Sequence, residues 1–145
     1  MWLYILTAIG SGSLIAFQAG ANKTLLSYVG NPLWTTTILF GIGFIFLLVV
    51  TFCSSMEFPP IKQLGLAPYW SYGGGIIVAS YLLSITFLVP RIGLSMALFL
   101  VIAGQILGAL LIEHWGLIGV AKQPINISKA LGVLMMVIGI YLAKK

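Results

Sequence analysis

Residues 33–53 read LWTTTILFGIGFIFLLVVTFC, without one charged side chain. A helix crosses the hydrocarbon core of a bilayer in about 20 residues. This run has that length and carries nothing that must face water. Before it, Gly30-Asn31-Pro32 closes an apolar run that begins at Trp2. Proline biases its predecessor away from helix and then suits the first turn of the next one. After it comes a polar loop, Ser54 to Ala67, with Glu57, Pro59, Pro60 and Lys62. A third apolar run follows, with Trp70 and flanking tyrosines where interfacial aromatics belong. Pro90-Arg91-Ile92-Gly93 is expected to be a tight turn, and a fourth run ends at Glu113, His114 and Trp115. Beyond a loop with Gly116, Gly119 and Pro124, Ser128 is the expected N-cap of a short last helix. Lys144 and Lys145 follow it, at the end where the helix dipole favours cations. The expected helices are 2–29, 33–53, 69–89, 94–113 and 128–143, in a single membrane domain over 1–145. The first lacks the basic region and cleavage site of a signal peptide and is expected to be a membrane helix.

Composition agrees with that pattern. Hydrophobic residues make up 61% of the chain, charged residues 6%, and the mean hydropathy is +1.15. A soluble domain carries roughly 25% charged residues to coat its surface. A disordered chain is poor in apolar residues. Both classes are excluded, leaving an all-α integral membrane protein with five transmembrane helices.

The net charge of +5 comes from seven Lys/Arg scattered singly between apolar runs. No basic patch exists to track a phosphate backbone, so nucleic acid is not a partner. One cysteine, Cys53, and one histidine, His114, offer neither a disulfide nor a metal-ligand spacing. No metal and no cofactor are expected. Nor is there a paired carboxylate, a His-Glu-x-x-His or a phosphate loop, so the chain does not read as an enzyme. Gly73-Gly74-Gly75 has no phosphate-binding context and suits close helix approach.

Five spans put the termini on opposite sides. The side of the N-terminus holds Lys62, Lys122 and Lys129, and the other holds Lys23, Arg91, Lys144 and Lys145. Orientation follows the Lys/Arg bias. Three against four is almost none, and setting aside Lys23 as part of a long first helix makes it three against three. Orientation is weakly specified.

Polar groups inside spans are costly in lipid and should face protein or a water-filled cavity. Gln18 and Asn22 lie one turn apart on the first helix. Ser80, Tyr81 and Ser84 lie near the middle of the third, and Gln105 near the middle of the fourth. Gln18, Asn22, Tyr81, Ser84 and Gln105 offer donors and acceptors without net charge. They suit a neutral or zwitterionic solute, or else they join helices by hydrogen bonds. Glu113 is the only carboxylate near a span. It is a candidate for proton coupling, and equally an interfacial acid. Arg91 and His114 read as boundary residues. Gly104 and Gly108, four apart, and Gly132 and Gly139, seven apart, each present a groove for another helix.

These residues fall into blocks: Gln18-Ala19-Gly20-Ala21-Asn22-x-x-Leu25 with Gly30-Asn31-Pro32-Leu33; Val89-Pro90-Arg91-Ile92-Gly93, Ala103-Gly104-Gln105 and Ile112-Glu113-His114-Trp115-Gly116-Leu117; and Leu131-Gly132 through Gly139-Ile140. In order and spacing the chain resembles the small YdcZ-type family of the drug/metabolite transporter superfamily. The last helix also resembles that of EamA-type halves and of the small multidrug resistance proteins. The resemblance implies one half of an inverted-repeat transporter in a bacterial inner membrane. The family's name supplies no substrate, and the function expected here is export of a small metabolite or drug-like solute by alternating access. With the weak charge bias, the resemblance points to an antiparallel, dual-topology homodimer. A non-transporting membrane subunit, or half of a heterodimer with a paired homologue, are the alternatives. The small multidrug exporters carry a Glu in the first helix, whereas this one has Ser11, Ser13, Gln18 and Asn22.

Overall fold

The computed structural model describes residues 1–54 and 57–143 and divides into two compact units, Met1–Pro90 and Arg91–Lys145. Lys144 and Lys145, expected to complement the last helix dipole, lie outside the described residues, as do Ser55 and Met56.

In the first unit, α1 (Trp2–Val29) packs on α2 (Pro32–Cys53). Gly30 ends α1 at φ 75, a left-handed value that glycine adopts at no steric cost, and its N–H donates to the Leu26 carbonyl at 2.8 Å. Asn31 starts α2 from an extended conformation. Its Oδ1 accepts from the N–H groups of Leu33 (2.9 Å) and Trp34 (3.2 Å), with Pro32 as the first helical residue. A stop, a cap and a start thus occupy three consecutive residues.

The region expected to be loop contains a short helix, α3 (Ile61–Leu66). A 3-10 turn at Tyr69–Gly73 then leads into α4 (Gly74–Ile92). The Tyr72 hydroxyl donates to the Leu64 carbonyl and ties that turn to α3. The turn expected at Pro90 is corrected, because α4 runs through Pro90 and Arg91 to Ile92. A proline inside a helix removes one backbone donor and crowds the carbonyl four residues back. In the last turn those costs are tolerated, and the helix ends before Gly93, which stands at φ 84 ahead of the next helix.

In the second unit, α5 (Leu94–Trp115) packs on α6 (Ile127–Ala143). Gly116 caps α5 at φ 65, and a 3-10 turn at Leu117–Gly119 follows. The cap of α6 is Asn126 and not Ser128: its Oδ1 accepts the Lys129 N–H at 2.8 Å. Asn offers its carbonyl to the third N–H of a helix as readily as Ser offers a hydroxyl, and Asn126 stands one residue before the first turn.

Among the described residues, four segments have the length and composition to cross a membrane: Trp2–Val29, Pro32–Cys53, Tyr69–Ile92 and Leu94–Trp115. The helix expected as a fifth span, α6, has 17 residues, or about 26 Å at 1.5 Å per residue. Large apolar side chains such as Phe44, Phe46 and Leu47 point outward, each more than 60% exposed. In water this would be ruinous. In lipid it is the expected exterior.

Candidate functional site

The interior of the first unit is polar as well as apolar. Thr35, Thr36 and Thr86 are buried, and each hydroxyl donates to the carbonyl four residues earlier, at 2.8–2.9 Å. That back-bond satisfies a hydroxyl within its own helix. Asn22 has no such outlet. It is 1% exposed, and neither Nδ2 nor Oδ1 has a partner among the described residues. A buried amide left unpaired costs about 1–3 kcal/mol.

Gln18, one turn before Asn22, lines a cavity of about 530 Å³. Tyr81 of α4 lines the same space with Phe40 of α2, and the space is an open groove whose outer rim is formed by the outward-facing Phe44 and Leu47. Two of the expected cavity residues are thereby brought together across helices. Ser84 sits apart, in a space of about 470 Å³ with Asn31, Leu33 and Phe87, and its hydroxyl donates to the Ser80 carbonyl at 2.8 Å. A third space, about 390 Å³, holds Thr36, Thr37, Phe40 and Ser80. Sequence reasoning passed over Thr36, Thr37 and Phe40. The visible signal was the Thr35-Thr36-Thr37 run, three hydroxyls in succession just inside an uncharged span.

Gln105 belongs to the second unit, where it is exposed on α5. Glu113, the candidate for proton coupling, is engaged in the same unit. Its Oε2 lies 3.0 Å from Lys129 Nζ, which also reaches Gln123 Oε1 at 3.4 Å. The Gln123 N–H donates to the Glu113 carbonyl at 2.8 Å, and His114 Nδ1 accepts the Ile125 N–H at 3.2 Å. The His114 and Trp115 rings meet edge to face, centroids 5.8 Å apart. These bonds strap the 120–126 segment to the end of α5 and give Glu113 a structural task. At Gly104, Gly108, Gly132 and Gly139, an added Cβ would meet no described atom within 4 Å, so both small-residue faces are open. An apolar groove of about 810 Å³ between the start of α5 and the end of α6, lined by Leu94, Leu100, Val137 and Ile140, holds none of the expected site residues.

The strap depends on Gly116. At φ 65 it occupies a conformation that β-branched residues resist, and a Cβ there would stand 3.2 Å from the Lys122 Cβ. Gly116→Val is expected to cost roughly 1–3 kcal/mol, read as a lower melting temperature of the purified protein. Unchanged melting would mean that this turn adds nothing to the fold.

Long, predominantly apolar helices that expose large apolar side chains define a multi-pass integral membrane protein. Residues 3–142 match the family described as "Putative inner membrane exporter, YdcZ", and the chain belongs to that family, within the drug/metabolite transporter superfamily. It is a multi-pass protein of the cell membrane. No curated protein and no solved structure matches the chain.

Proposed function

We propose that the chain is one half of a secondary transporter that exports a small neutral or zwitterionic solute by alternating access, as an antiparallel homodimer. The observation that carries this reading is Asn22, an amide kept buried and unpaired one turn from a cavity-lining Gln18. Polar groups held at such a cost within a membrane span are expected to serve a ligand. Gln18, Asn22 and Tyr81 are the contacts we assign to the solute, with Ser84 further along its path. Glu113, held by Lys129, remains available for proton coupling only if that pair opens.

In this reading α6 is the fifth span, near the lower limit of length, lying almost untilted or in a locally thinned bilayer. Five spans leave one half in need of an inverted partner, as transporters built from inverted repeats place their site at the repeat interface. The near-even cation count supports one sequence supplying both orientations.

Proteoliposomes loaded with a small-metabolite extract test the function. Protein-containing vesicles are expected to lose particular solutes, by mass spectrometry, faster than empty ones. Retention of every solute would favour a non-transporting subunit.

The open glycine faces are the assigned dimer contact. A Cβ added at Gly104 or Gly108 meets no described atom within 4 Å beyond its own stretch of helix, so Gly104→Leu with Gly108→Leu is expected to leave the fold intact while close helix approach is blocked. A raised monomer fraction in detergent is expected. An unchanged dimer would move the contact to Gly132 and Gly139.

A further inference from the structure

The three cavities of the first unit share walls. Phe40 lines both the 530 Å³ and the 390 Å³ spaces, and Leu33 and Leu83 line both the 390 Å³ and the 470 Å³ spaces. Together they form a seam between α2 and α4. Along α2 it extends from Asn31 to Leu47, about 24 Å at 1.5 Å per residue, most of the thickness of a hydrocarbon core.

The polar atoms of its middle section have one property in common. Ser80 donates its hydroxyl proton to the Ile76 carbonyl at 2.9 Å, and Ser84 to Ser80 at 2.8 Å. Thr36 donates to Pro32 at 2.8 Å, and Thr37 to Leu33 at 2.9 Å. A hydroxyl has one proton and two lone pairs. With the proton committed to its own helix, each of these oxygens can only accept. Donors occur at the ends, on Gln18 and Tyr81 at one and the Asn31 amide at the other. No Lys, Arg, Asp or Glu lines any of the three spaces.

From this we infer that the α2–α4 seam takes neutral solutes with an apolar body that donate hydrogen bonds through N–H or O–H groups. This rests on the transport reading and narrows its substrate class. A carboxylate moving along the seam would meet only lone pairs between the two ends. Between those ends an ether or tertiary amide of the same size would find apolar contact and no partner. A neutral donor finds successive acceptors spaced along the path.

Three probes separate these chemistries: 1-naphthol, 1-methoxynaphthalene and 1-naphthoate, which share a body and differ in one group. Binding to the full chain in detergent, measured by equilibrium dialysis against empty micelles, is expected to favour naphthol over its methyl ether. The preference should be about two- to tenfold, the range for one neutral hydrogen bond, with naphthoate weakest. Thr37→Val with Ser80→Ala and Ser84→Ala should erase the preference while leaving the ether's affinity unchanged. Equal binding of naphthol and ether, or a preference that survives the triple variant, would overturn the inference and leave the hydroxyls with only their helical back-bonds. Vesicle flux is read separately. Donor-selective binding without flux would uphold the seam's chemistry and sink transport, whereas flux without donor selectivity would do the reverse.

Discussion

Asn22→Leu is expected to melt later than the natural chain and to export nothing. Leucine reproduces the branching of asparagine at Cγ but carries no polar atom. Asn22 is 1% exposed, with both amide atoms unpaired, so the substitution removes a desolvation penalty of about 1–3 kcal/mol. Stability gained at the expense of activity is the usual mark of a binding residue retained against the interest of the fold. Gln18→Leu should behave differently. Gln18 is already exposed to its cavity, so its loss should weaken affinity about two- to tenfold, the worth of a neutral hydrogen bond, with little change in melting. Measuring melting and flux on both variants decides the matter. A lower melting temperature for Asn22→Leu with flux intact would make the amide a structural link between helices and sink the assignment.

Fixing the orientation should abolish transport as completely. Three lysines inserted between Glu57 and Lys62 would set six cations on the side of the N-terminus against four on the other. Lys62→Ala with Lys122→Ala would leave one against four. Cation bias of this size directs insertion, and an exposed loop tolerates the insertion. C-terminal reporters should show each variant in a single, opposite orientation, and neither should transport alone. Expressed together, they should restore export, because an inverted pair forms again. Activity in either variant alone would rule out the antiparallel homodimer. A natural chain found wholly in one orientation would favour a paired homologous partner.

The Gly30-Asn31-Pro32 junction was legible because three residues each have a single local explanation: left-handed glycine, capping amide, first-turn proline. Pro90 misled because proline is a strong breaker at mid-helix and a weak one in a last turn, and the sequence does not show how many helical residues remain. Ser128 misled for a similar reason, since Asn126 lay two residues earlier with an equally good acceptor. The site was half legible. Helical spacing put Gln18 and Asn22 on one face, yet Asn22 is buried while Gln18 opens to a cavity. Nor could spacing tell that Tyr81 and Ser84, three residues apart on α4, line different spaces. A soluble helix marks its inward face by an apolar stripe. Here lipid and interior are both apolar, and that contrast is lost.

Only Gly30 and Asn31 separate α1 from α2. A link that short leaves little beyond the end of α1, with Lys23, outside the bilayer on that side. The two helices are therefore expected to enter the membrane together as a hairpin. The choice of which way up the protein lies is then expected to rest on the 57–62 loop and the cations beyond it. A chain truncated after α2 should insert with no memory of the side on which the full protein would have placed it.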